Sequence, residues 1–194
     1  VARYLQEEST CTLDIISYSS DQTQRLGIRL GELLSGGELI LLNGQLGSGK
    51  TTFTQGLAKG LRITDVVSSP TFTLLKEYRS QSQPVSNETN TAEIVAMRPS
   101  CAQSEVRALY HFDLYRLDDP DEIVDLGFED YFCNPNPGSG VCVVEWADRA
   151  DTLWPAERLS IGLDALDEEK RSLLLVATGG HYCELLRQLS EENI

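Results

Sequence analysis

Along this chain the spacing of apolar positions changes from stretch to stretch, and each change marks an element. Residues 12–18 (TLDIISY) read as a first strand. Ser19 stands three before Gln22 in the pattern of a capping box. Leu26, Leu30, Leu33 and Leu34 then give one helical stripe, which Gly36 and Gly37 end. Residues 38–43 (ELILLN) form a short apolar run of the kind buried on both faces of a sheet. Phe53, Leu57 and Leu61 recur every four residues and predict a second helix over 51–61. Pro70 excludes a helix through 66–78, and the stretch from Thr71 reads as an extended strand. Residues 80–106 are polar, low in complexity and poor in core formers, which predicts a flexible excursion in which 94–97 (IVAM) has the means to pack locally.

After it the pattern resumes. Residues 107–115 read as a strand with Asp113 near its end. Asp119 is placed to cap a short helix that has Pro120 in its first turn and Gly127 at its end. Residues 134–140 form a loop, and 141–146 (VCVVEW) a buried strand that ends in Glu145. Residues 158–163 and 172–178 predict two further strands turned by 164–170. Tyr182, Leu185, Leu186 and Leu189 give a C-terminal helix opened by Gly179 and Gly180. Strands and helices alternate first, and hairpin-like strands follow. This predicts a single α/β domain, a phosphate-loop NTPase-like mixed sheet with helices on both faces.

The chemistry centres on residues 44–51, GQLGSGKT, which fit G-x-x-x-x-G-K-[ST] at every fixed position. A buried strand precedes the loop and a helix follows it. Glycines there let successive amides turn inward around a polyphosphate, and the helix N-terminus adds partial positive charge. Lys50 is placed to reach the β- and γ-phosphates and the Thr51 hydroxyl to ligate Mg²⁺. The expected ligand is a nucleoside triphosphate with magnesium.

Asp113 and Glu145 stand near the ends of apolar strands, the edge where the loop lies if those strands run parallel to its own. One acid there can hold Mg²⁺, and another can orient or deprotonate an attacking water. The residues alone do not divide the two jobs, and each acid has the plainer reading of a strand end bonded to a loop. Ser69 and Thr71 beside the rigid Pro70 suit a γ-phosphate sensor or an ordinary turn. Trp146 has three readings: packing, stacking on a base, or facing a partner. His111 shares a strand face with Asp113 and reads as a structural hydrogen bond. No N-K-x-D follows the loop, so adenine is the expected base. No arginine stands out as a finger in cis, so hydrolysis by the isolated chain should be weak.

Composition narrows the partners. Among 194 residues, 41% are hydrophobic, enough for a full core. Thirty acidic residues against 16 basic ones give a formal net charge of −14. A polyanion is repelled by nucleic acid and by anionic membrane, so strong direct binding to either is not expected. Five cysteines, an odd number with no C-x-x-C, read as reduced thiols in a cytoplasm. No run approaches a membrane span, and the first residues show no signal pattern.

Five motifs then occur in order: LGSGKTT at 46–52, SPTFTL at 69–74, YHFDLYR at 110–116, LGFEDY at 126–131 and VEW at 144–146. Together they resemble the bacterial TsaE (YjeE) family, over roughly residues 12–179. The resemblance implies a small ATPase that supports N6-threonylcarbamoyladenosine synthesis at position 37 of tRNA. It implies ATP and Mg²⁺ as ligands and the TsaB–TsaD pair as partner, with tRNA reached through that pair. By motif, Gly47, Ser48, Gly49, Lys50, Thr51 and Thr52 would hold phosphates, and Thr51 and Glu145 the metal. Lys50, Asp113 and Glu145 would be catalytic. Ser69 and Thr71 would form a first switch, and Trp146 would belong to a second. Ser20 and Thr23 before the first helix, and Arg171 or Lys170 near the late hairpin, would frame the nucleotide. The 80–106 segment is longer than the family leads one to expect. Two rival readings remain: a phosphate-loop kinase of a small metabolite, and a nucleotide switch that does not hydrolyse.

Overall fold

Eight strands share one sheet in the computed structural model, which describes residues 3–7, 9–80, 108–117, 121–125, 127, 129–132 and 140–191. They are β1 (Arg3–Glu7), β2 (Thr10–Ser17), β3 (Leu39–Asn43), β4 (Leu75–Arg79), β5 (Ala108–Asp113), β6 (Val141–Glu145), β7 (Arg158–Ala165) and β8 (Arg171–Thr178). The spatial order is β1-β2-β8-β7-β3-β6-β5-β4. The four central strands β7, β3, β6 and β5 run parallel, and antiparallel strands flank them on both sides. β6 is buried along its whole length and β3 nearly so, which is why both read as unbroken apolar runs.

Helices α1 (Ser20–Leu33), α2 (Lys50–Gly60) and α5 (Gly180–Glu191) cover one face, packed on Leu13, Ile40, Leu42, Val143 and Leu175. On the other face Leu39, Leu41, Phe112 and Val144 pack against the short α3 (Asp121–Asp125), α4 (Glu129–Phe132) and a 3-10 helix at Ala147–Leu153, through Ile123, Phe132 and Ala150. Helices do lie on both faces, but the layers are unequal.

Ser19 caps α1, its side chain accepting from Gln22 N at 3.2 Å, while Gln22 Oε1 accepts from Tyr18 N at 2.8 Å. α1 and α2 cross at interlocking glycines. A Cβ at Gly27 would lie 2.3 Å from the Phe53 carbonyl oxygen, and one at Gly56 would lie 2.1 Å from that of Gln24. Only bare backbone lets the helices approach this closely.

Several expectations are corrected. β1 was not predicted, and β2 runs from Thr10 to Ser17 rather than over 12–18. The strand expected from Thr71 starts at Leu75. Residues 71–73 form a turn instead, in which the amides of Thr73 and Leu74 donate to the Pro70 carbonyl at 2.9 and 2.8 Å. The thiols expected to be reduced include Cys11 and Cys183, which form a disulfide between β2 and α5 with a Cα–Cα distance of 5.4 Å. They are 172 residues apart in sequence, so spacing gave no sign of the pair. Cys142 is free and buried. The excursion from 81 onward, Asp119, Pro120, the loop 134–139, Cys101 and Cys133 lie outside the described residues. Among the described residues no helix is long and apolar enough to cross a membrane.

The glycine crossing makes a prediction whose sign decides the matter. Helix propensity alone favours alanine over glycine by about 1 kcal/mol, whereas forcing a methyl group against backbone costs about 1–3 kcal/mol. Gly56→Ala should therefore lower the urea midpoint without changing the slope of the transition. A raised midpoint would mean that the helices are not in close contact.

Candidate functional site

The parallel register brings three strand ends to one edge. Glu145 pairs with Leu42 of β3 on one side and with Asp113 of β5 on the other. The loop leaves β3 at this edge and enters α2. Gly47 and Gly49 take positive φ values, 80° and 104°. A side chain is strained in that region, and Gly49, as N-cap of α2, adds no side-chain bond to the helix's first amides.

Lys50 is buried and its Nζ donates to the carbonyl oxygens of Gly44 at 2.7 Å and Gln45 at 3.1 Å, holding the loop closed. The ammonium also lies 3.9 Å from the centre of the Trp146 ring. Burial pushes the Lys50 pKa below its ordinary value, opposed by the charges of Glu145, then Asp113, then Asp148. Thr51 begins the first turn of α2, and its hydroxyl lies 3.0 and 3.2 Å from the two carboxylate oxygens of Glu145. His111 Nε2 reaches the same carboxylate at 2.9 Å.

The other acid has a different environment. One oxygen of Asp113 accepts from the hydroxyls of Ser69 and of Thr71, the latter at 2.7 Å, and the other accepts from Tyr115 N at 3.0 Å. The turn at 71–73 thus presents both hydroxyls to Asp113, and Leu74 closes it at φ 60° with its carbonyl accepting from Asp113 N. Trp146, at φ 60°, is the second left-handed residue beside the site. Such backbone costs about 1–3 kcal/mol and clusters where function requires it.

A cavity of about 180 Å³ opens beside the loop, lined by Ser19, Ser20, Thr23, Gly47, Gly49, Thr52, Glu168, Glu169 and Arg171. Ser20, Thr23 and Arg171 therefore come together with the loop from three distant stretches. The Thr23 hydroxyl shares a hydrogen bond with that of Ser17 at 2.8 Å, and its methyl lies 3.9 Å from where a Gly49 Cβ would stand. Arg171 braces the hairpin turn through the carbonyls of Asp167, Glu168 and Lys170, and reaches Gly47 O at 3.5 Å. Lys170 pairs with Asp167 instead. Ser19 read only as a helix cap, and Glu168 and Glu169 only as part of the turn at 164–170. Nothing local in the sequence marks them as cavity walls.

The residues suit a magnesium–triphosphate group. Ser48 Oγ is buried with no hydrogen-bond partner among the described residues, a hydroxyl inside the loop still free to bond. Among the described residues no three His, Cys, Asp or Glu side chains are grouped to hold a metal by themselves. Mg²⁺ does not require such a group, since it is commonly held by one or two protein oxygens with water and substrate phosphate.

A buried parallel strand, a glycine loop closed by lysine, and strand-end acids beside the first turn of the next helix define a phosphate-loop NTPase-like α/β protein. Comparison with known proteins makes the assignment particular. The family described as threonylcarbamoyl adenosine biosynthesis protein TsaE matches residues 17–89 and 91–173. The TsaE of Bacillus subtilis is 38% identical over 157 residues, 81% of this chain and 80% of that one. That of a Nostoc species is 41% identical over 151 residues, 78% and 77% of the two chains. The crystal structure of Bacillus subtilis YdiB superposes with a TM-score of 0.70 at 30% identity, covering 97% of this chain and all of the other. This chain belongs to the TsaE family.

The contact between Lys50 and Trp146 predicts a signal. In a Trp154→Phe background Trp146 is the one remaining tryptophan. If the loop takes Mg-ATP, the phosphates should draw the ammonium off the ring, and Trp146 emission should change at saturation. In a Lys50→Ala version of the same protein, the nucleotide should leave it unchanged. No change in the parent would mean that Lys50 stays on the ring.

Proposed function

We propose that this protein is a Mg²⁺-dependent ATPase that supports threonylcarbamoyladenosine modification of tRNA, working in the cytoplasm with the TsaB–TsaD complex. The observation that carries the reading is the Thr51 hydroxyl at 3.0 Å from Glu145, at the first turn of the phosphate-loop helix. It joins the residue type that ligates magnesium in such loops to a carboxylate on the neighbouring strand.

Thr51 and Glu145 would hold the metal, which when bound neutralises charge on the phosphates and positions them. Lys50 turns from the Gly44 and Gln45 carbonyls to the phosphate oxygens, and the amides of 47–52 stabilise charge that develops there. Asp113 orients the attacking water, and Ser69 and Thr71 report on the γ-phosphate because both hydroxyls now rest on that acid. Ser20, Thr23 and Arg171 frame the nucleoside side of the cavity. The cytoplasmic assignment follows from the tRNA role and not from the cysteines. With a net charge of −14, the chain meets tRNA through its partners.

Hydrolysis tests the proposal. Lys50→Ala should abolish Mg-ATP turnover. Glu145→Gln should still bind nucleotide but turn over about 10²–10⁴-fold more slowly. Near-normal rates in either variant would refute the assigned roles. Capture of TsaB–TsaD should be stronger with ATP than with ADP. If capture is the same with both and phosphate passes to a small acceptor, the protein is a kinase. If ATP-dependent capture persists with no turnover at all, it is a switch.

A further inference from the structure

We infer that His111 is a positioning residue. Through its Nε2, 2.9 Å from a carboxylate oxygen, it fixes Glu145 for its work beside Thr51. The inference rests on the metal-side role proposed for Glu145.

His111 is completely buried on β5, and its Nε2 lies 2.9 Å from Glu145 Oε1. It pairs with Val143, and Asp113 two residues on pairs with Glu145, so the imidazole stands directly behind the two acids on their own face of the sheet. An ionised carboxylate only accepts, so the nitrogen facing it must donate, which puts a proton on Nε2. Nδ1 is buried and has no hydrogen-bond partner among the described residues.

The unpartnered Nδ1 separates a positioning role from simple packing. A leucine would fill the same space and leave no polar atom unpaired. The cost is worth bearing only if the Nε2 proton is needed. Glu145 is itself buried, at 3% exposure, and among the described residues its other side-chain donor is the Thr51 hydroxyl. In the proposed reaction Thr51 also serves the metal and the phosphates, and so is not a fixed anchor. His111 is held in a central strand and so is a fixed anchor. Groups that hydrogen-bond a metal-ligating carboxylate hold it in place and tune metal affinity.

Two substitutions separate the proton from the ring. His111→Gln places an amide N–H about as far from the backbone as Nε2, and His111→Leu keeps bulk without a donor. Binding of a non-hydrolysable ATP analogue is titrated calorimetrically at graded Mg²⁺, with melting curves as the check on folding. His111→Leu should bind the analogue without Mg²⁺ within about twofold of wild type. Its apparent Mg²⁺ affinity should fall about 10–100-fold, with kcat reduced and KM for ATP little changed at saturating Mg²⁺. His111→Gln should recover most of both losses. Wild-type Mg²⁺ dependence in His111→Leu overturns the inference and leaves the ATPase reading standing. So does a folded His111→Gln that is as impaired as His111→Leu. If His111→Leu does not fold, His111→Gln decides alone: Mg²⁺ affinity within about threefold of wild type supports the inference, and a loss beyond tenfold overturns it. A wild-type chain with no Mg²⁺-linked binding overturns the ATPase reading and this inference with it.

Discussion

The parallel pairing of β6 between β3 and β5 sets the terms for everything at this edge. It aligns Leu42, Glu145 and Asp113 across three strands, two residues before the glycine loop begins. Parallel strands in the middle of a sheet are covered on both faces, so the side chains at their ends emerge from an apolar layer. Lys50, His111, Asp113 and Glu145 are all buried there. Charged and polar groups in such a place are mostly bonded, and the bonds found join the candidate site residues: lysine to loop carbonyls, threonine and histidine to one acid, two hydroxyls and an amide to the other. A one-residue slip in the register would turn one of the acids to the opposite face and leave its partners unpaired.

The glycine crossing of α1 and α2 contributes a second constraint. It presses the two helices together, so the start of α1, with Ser19, Ser20 and Thr23, lies beside the loop that starts α2. Thr23 locks this arrangement by bonding Ser17 at the end of β2. The cavity next to the loop is thus a product of helix packing and owes little to the loop's own sequence. The β7–β8 hairpin supplies its remaining wall through Glu168, Glu169 and Arg171.

What was legible in the sequence follows from range. The loop, the α2 stripe of Phe53, Leu57 and Leu61, the unbroken apolar runs of β3 and β6, and the acids at 113 and 145 are local patterns, and each could be read within ten residues. Mixed sheet topology followed from the order of elements. The missed features are long-range or result from competition. β1 is a short edge strand whose pairing partner in the sheet is β2. The start of β4 at Leu75 is displaced from Thr71 because Ser69 and Thr71 bond Asp113 some forty residues away. Cys11 and Cys183 meet only because α5 packs back onto β2. His111 read correctly as a hydrogen-bonded residue, but its partner, Glu145, lies on another strand and was visible only in the fold.

A crystal structure of the protein with Mg²⁺ and a non-hydrolysable ATP analogue tests the central claim most directly. The account predicts the triphosphate wrapped by residues 44–52, Lys50 moved from the Gly44 and Gln45 carbonyls onto phosphate oxygens, the metal at the Thr51 hydroxyl beside Glu145, and the nucleoside in the cavity between α1 and the β7–β8 hairpin. Nucleotide bound elsewhere, or a Lys50 that still closes the loop on its own carbonyls with the analogue present, would contradict it.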